Sequence, residues 1–110
     1  MNEQKITKYN FAKEYTEFPG GRFERLGDYS GEDFREKVLR IFFQNNERIE
    51  IDATGIVTSF SPSFLDESFG KLAKEYGLEK FNETIKLFSK DNPNLNDKMM
   101  YYVNRAVNAK

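Results

Sequence analysis

The chain has 110 residues, 38% of them hydrophobic and 15% aromatic, which suits one domain with one core and is too short for two. Its 17 basic and 18 acidic side chains are interspersed and leave a net charge of -1, which disfavours nucleic acid as a partner. There is no Cys and no His, so disulfides, thiolate chemistry, zinc sites of the usual kind and the commonest general base are excluded.

The stretch Met1 to Lys8 is polar and has no apolar signal core. No apolar run reaches the length that spans a bilayer, so the expected location is the cytoplasm. Residues 1–20 read as an N-terminal extended segment, with Ile6, Tyr9 and Phe11 seating a first strand. Phe18-Pro19-Gly20-Gly21 is a turn signal. Arg22 to Leu26 alternates polar and apolar, as a half-buried strand does.

A first helix is expected over 31–44. Ser30 would cap it, with Asp33 three residues on, and Phe34, Val38, Leu39, Phe42 and Phe43 recur at helical spacing. Asn45-Asn46 ends it. Residues 48–53 alternate strictly, so Ile49, Ile51 and Ala53 share one face of a strand. Thr54-Gly55 breaks that strand. The next helix starts near Ser61-Pro62-Ser63 and runs to Tyr76, burying Leu65, Phe69, Leu72, Ala73 and Tyr76, with Gly77 as its stop.

Residues 84–88 read as a strand with Ile85 and Leu87 inward. Asp91-Asn92-Pro93 is a turn, and Asn94 is expected to cap a last helix that buries Leu95, Met99, Val103, Ala106 and Val107. Strands alternating with helices predict parallel crossovers. The expected fold is a single compact α/β domain over 1–110, with a mixed central sheet covered by about three helices.

The densest pattern is Asp52-Ala53-Thr54-Gly55-Ile56, followed by Ser59-Phe60-Ser61-Pro62-Ser63-Phe64-Leu65-Asp66-Glu67-Ser68-Phe69-Gly70-Lys71-Leu72. A strand ends in a carboxylate, a Gly turn and a Ser-rich loop follow, and a helix begins. In open α/β sheets, ligands and partners are met at the carboxyl ends of strands.

On Asp52, Gly55-Ile56 and the run Ser63 to Leu72, with Gly21-Arg22-Phe23 upstream, the chain resembles the STAS-like domain family of bacteria and their mobile elements, a family of unknown function (DUF4325). The resemblance covers about residues 20–107. It implies a distant likeness to the STAS domains of anti-sigma factor antagonists, in which a partner kinase phosphorylates a Ser at a helix start. By position Ser63 resembles that phosphoacceptor. Where the antagonists carry an Asp-Ser-Ser-Gly-type segment, this chain has Ser61-Pro62-Ser63-Phe64.

Each residue also has a structural reading. Ser63 with Asp66, or Ser61 with Pro62 at the first helical position, would cap the helix and contribute about 1 kcal/mol. Asp52 would organise the loop through backbone N–H groups. Asp66 and Glu67 diverge by about 100° around a helix and form no catalytic pair. Gly70 would let the helix approach a neighbour. Tyr101 and Tyr102 lie partly off the buried stripe and suit either a partner surface, a homodimer or cover for the sheet edge.

No residue pairs a nucleophile with a base, so no enzyme activity, cofactor or metal is expected. The expected function is a regulatory protein-protein interaction module. It would dock through the loop and helix start at 54–67, and the resemblance implies a histidine-kinase-type ATPase as partner. Asp52, Thr54, Gly55, Ser59, Ser61, Asp66 and Glu67 are the candidate contacts, and Ser63 is the candidate phosphoacceptor. The alternative is a small-molecule or nucleotide-binding sensor.

Overall fold

The computed structural model describes residues 4–109. Residues 1–3 and 110, the ends of the expected single domain, lie outside the described residues.

Three short strands, β1 (Ile6–Asn10), β2 (Arg48–Asp52) and β3 (Ile85–Phe88), pair in the order β1-β2-β3. Both pairings are parallel. The α/β class is as expected, and the expectation of a mixed sheet is corrected: every described pairing is parallel. Each strand-to-strand connection carries a helix, which returns the chain to the same end of the sheet.

The register sets two unlike faces. Thr7, Ile49 and Ile85 align across the strands, as do Tyr9, Ile51 and Leu87, and this face meets the helices. Ile6, Lys8, Asn10, Arg48, Glu50, Asp52, Lys86 and Phe88 point the other way. That second face is polar or exposed, with Glu50 held between Lys8 and Arg48. Parallel sheets are commonly covered on both faces. Here the alternation of residue types leaves one face to water.

The three long helices are those the apolar stripes predict. The first, α2, follows a one-turn helix α1 (Phe11–Glu14) and runs over 31–44, with a π-helical turn at Arg35–Leu39. The second, α3, runs over 62–76, with a π-helical turn at Asp66–Gly70. After a short α4 (Leu78–Thr84) comes α5 (Leu95–Asn108). Ser30 caps α2 by accepting from the Asp33 N–H at 3.0 Å. No Asn94 side-chain bond caps α5. The Asn94 N–H instead donates to Asn92 Oδ1 at 3.1 Å.

Two short helices were not foreseen. Phe11, expected in the first strand, opens α1 because Asn10 Oδ1 accepts from the Lys13 N–H at 2.9 Å and turns the chain. Residues 78–84 form α4, so Thr84 ends a helix and β3 begins at Ile85. The strand expected over Arg22 to Leu26 is a single 3-10 turn, Glu24–Leu26, with no buried residue. No neighbouring strand among the described residues offers it a ladder. The Glu24 N–H is met by Glu32 Oε1 at 2.9 Å instead.

The core is aromatic. Phe11, Phe34, Phe43, Phe60, Phe64, Phe69 and Phe81 are all fully buried. Phe11 touches Phe34 and Phe60 edge-on, with ring centroids 5.0 Å apart in each case. Phe60 therefore anchors the loop before α3 to the first strand's end. Helix α2 crosses the start of α3 so closely that a Cβ on Gly31 would lie 2.6 Å from the Phe64 carbonyl oxygen. Gly70 plays the close-approach role expected of it, since its Cβ would lie 3.2 Å from Ala106 Cβ of α5.

Candidate functional site

The chain leaves β2 at Asp52 and enters α3 at Pro62, and the intervening corner is pinned along its length. The Thr54 N–H donates to Asp52 Oδ1 at 2.9 Å. Thr54, through its side chain first and its backbone N–H second, holds the Asp52 carboxyl below the usual range. The Thr54 hydroxyl oxygen accepts from the Lys90 N–H at 2.9 Å, and the Gly55 N–H donates to Asp91 Oδ2 at 2.8 Å. Gly55 takes φ of 94°, a left-handed conformation that glycine adopts without strain. Thr54 and Gly55 thus tie the end of β2 to the loop after β3, with Asp52 bracing Thr54.

Farther along, the Val57 N–H donates to the Glu17 carbonyl at 2.8 Å, and Lys98 Nζ donates to the Phe60 carbonyl at 2.7 Å. Phe60 is buried beneath. What the pinned loop leaves outside is Gly55 and the stretch Val57-Thr58-Ser59. Val57 is 65% exposed, and Phe18, adjoining its hydrogen-bond partner, is 55% exposed. Beside them a hollow of about 180 Å³ opens between the β2–α3 and β3–α5 loops, lined by Ile56, Ser59, Asp91, Leu95 and Lys98 among others.

The helix start settles which Ser is the cap. Ser61 Oγ accepts from the Phe64 N–H at 3.0 Å, and Pro62 takes the first helical position. Ser63 and Asp66 form no capping box. Ser63 is half-buried, and its side chain lines a separate cleft of about 340 Å³ with Arg22, Asp66, Tyr102, Arg105 and Ala106.

Glu67 corrects the expectation of a partner contact, for it is buried. Arg35 Nη1 donates to Glu67 Oε2 at 2.5 Å and to the Glu67 carbonyl at 2.7 Å. Arg22 Nη1 reaches Glu67 Oε1 at 3.1 Å and Asp66 Oδ2 at 2.7 Å. The two carboxylates diverge as expected, yet one guanidinium spans both. Arg22, on the loop before α2, and Arg35, inside α2, together clamp the π-helical turn of α3.

Of the predicted residues, Gly55 and Ser59 are exposed, and Asp52, Thr54 and Ser61 hydrogen-bond within the loop that carries them. Glu67 is turned inward, and Asp66 with Ser63 belongs to the second cleft. Tyr101 is 58% exposed, and its ring meets that of half-buried Tyr102 edge-on at 5.0 Å.

The family model of the STAS-like domain of unknown function (DUF4325) matches residues 30–95. The chain belongs to this family. No curated protein and no solved structure matches it. The STAS-like match runs from the Ser30 cap to Leu95, so the corner, α3 and β3 lie within it. Arg22, Tyr102 and Arg105 lie outside it.

Sequence reasoning missed Phe18, Val57, Arg22 and Arg35 as site residues. Val57 did carry a signal: it is an apolar residue between a Gly turn and a helix cap, on no strand or helix face that could bury it. The two arginines carried none, because their partners are 32 or more positions away. Tyr15 and Asp33 were also missed. Their hydroxyl–carboxylate hydrogen bond is structural, since burial first and Asp33 second push the Tyr15 phenol well above its usual range. A phenol so shifted is no activated nucleophile.

Proposed function

We propose that this STAS-like domain is a regulatory protein-protein interaction module that docks a partner on the corner between β2 and α3. One observation carries the reading: Val57 and Phe18 stand exposed at the carboxyl end of the sheet on backbone that hydrogen bonds hold fixed. Single exposed apolar residues are ordinary, but two held out in water by neighbouring loops at the carboxyl end of an α/β sheet, where partners are met, suit an interaction surface. Rigidity matters because a preorganised loop loses little entropy on docking.

In this reading Val57 and Phe18 enter the partner, and Gly55 and Ser59 lie against it. The partner is a histidine-kinase-type ATPase, and the work is done in the cytoplasm. Among the described residues no helix is long and apolar enough to cross a membrane. Ser63 is the residue modified if the partner transfers phosphate, which would add close to two negative charges next to Arg22 and Asp66. The module itself is not catalytic.

Calorimetric titration of the chain with a histidine-kinase-type ATPase from the same cell tests the proposal, with Val57→Asp as the matched control. Saturable binding that Val57→Asp abolishes supports it. Equal binding by the two proteins, or no heat with either, overturns it.

A further inference from the structure

The cleft on the other side of the α3 start contains, besides Ser63, groups that the docking reading does not use. Its walls include Arg22 from the loop before α2, Ser63 and Asp66 from α3, and Tyr102, Arg105 and Ala106 from α5. Its volume of about 340 Å³ is in the range of small-molecule sites.

The donors here are unspent. Arg22 reaches both its carboxylates through the single nitrogen Nη1, so its Nε and Nη2 make no hydrogen bond to any described residue. Arg105 makes no hydrogen bond or ion pair among the described residues, and its guanidinium lies 5.7 Å from the Tyr101 ring centroid. Stacking of that kind holds a guanidinium in place. The Ser63 hydroxyl and the Tyr102 phenol likewise have no recorded partner among the described residues. Asp66, the one carboxylate among the described residues of the wall, is already paired with Arg22.

Charge decides what such a cleft takes. Arg22 is paired with Asp66 and Glu67, whereas Arg105, on the same wall, has no ion pair among the described residues. A planar guanidinium fork suits an oxyanion, and two forks with a hydroxyl beside them suit one better than a neutral or cationic group. The half-buried Tyr102 ring, with Ala106 beside it, offers an apolar wall for the rest of the molecule.

We propose that this cleft binds a small molecule bearing a phosphate monoester or carboxylate, held by Arg105 and the free donors of Arg22. Ser63 and Tyr102 are the secondary contacts. The site is independent of the docking corner, because Val57 and Phe18 do not line it.

Titration of the ¹⁵N-labelled chain with inorganic phosphate, phenyl phosphate and benzoate tests the proposal, read at the arginine Nε–H signals. Saturable shifts at both Arg22 and Arg105 are expected, with phenyl phosphate tighter than inorganic phosphate because its ring also meets Tyr102. Saturation by benzoate alone would assign the site to carboxylates and still support it. Arg105→Gln is exposed and should keep the fold while weakening phenyl phosphate by about tenfold. Ser63→Ala should weaken it less.

Shifts that rise linearly without saturation, or equal affinity in Arg105→Gln, would overturn the site. Val57→Asp should leave phenyl phosphate binding unchanged, so loss of the docking reading and loss of this one are separable.

Discussion

The backbone N–H of Val57 donates to the Glu17 carbonyl at 2.8 Å, and that bond sets two exposed apolar side chains, Val57 and Phe18, on one rim of the sheet. Neither side chain has a place in the core. Val57→Asp should therefore change stability by less than about 0.5 kcal/mol, as surface substitutions do. The same substitution should weaken the partner at least about tenfold, the effect of losing an interface anchor. Urea unfolding and titration with the partner, run on the same protein, check both halves.

Glu67 joins two arginines that reach it from different parts of the chain. Glu67→Ala would leave the Arg35 guanidinium, whose side chain is only 14% exposed, without its buried partner. The expected cost is about 3 kcal/mol. Arg35→Ala should cost more than Arg22→Ala, because Arg22 is the more exposed and water can replace part of what it loses. Urea midpoints of the three variants give the order. A Glu67→Ala protein as stable as the parent would show that the clamp contributes nothing.

Ser61 and Ser63 are two positions apart and do different work. Ser61→Ala removes the cap on the Phe64 N–H and should cost about 1 kcal/mol. Ser63→Ala removes no bond between described residues and should be nearly neutral. Thermal unfolding of the pair distinguishes them, and equal losses would mean that the capping role is shared.

Local chemistry made much of this legible in the sequence. The stripes at Phe34, Leu39 and Phe43, and at Leu65, Phe69 and Leu72, gave the two helices, and strict alternation gave β2. Ser30 was readable as a cap because the bond it makes spans three residues. The STAS-like family was readable from the run Ser63 to Leu72. The alternation of Arg22 to Leu26 misled, since a period of two needs a neighbouring strand and none comes near. Residues 78–84 were missed because the short α4 follows the long α3 across Gly77 alone, with no polar break long enough to mark it. The arginine clamp was illegible because it depends on tertiary distance. Glu67 looked like a surface residue until Arg22 and Arg35 were brought to it.

Acid and base should destabilise the fold for separate reasons. Hydrogen bonds from Arg40 first, and Arg35 as well, hold Glu36 down at about 2. Asp52 is lowered by Thr54, and Glu75 by Arg40. For Asp33 burial works the other way, but hydrogen bonds from Lys37 and Tyr15 outweigh it. The unfolded chain binds more protons at these groups, so their stabilisation is complete above the ordinary carboxylate range of about 4 to 4.5 and fades as pH falls below it. At the other end, burial raises Tyr9 to about 12 and raises Tyr15 further. That stabilisation is complete below the ordinary phenol value of about 10 and fades as pH rises above it. Urea midpoints against pH should show a plateau between the two limbs. A midpoint that climbs as pH falls through the carboxylate range would contradict the assignment.

Amide hydrogen exchange across the whole chain, with and without a bound histidine-kinase-type ATPase, tests the docking surface most directly. The account predicts new protection at residues 55–59 and at Phe18, with the exposed sheet face at Lys86 and Phe88 unchanged. Protection confined to that sheet face or to the Tyr101 side of α5, with 55–59 exchanging as in the free protein, would contradict it.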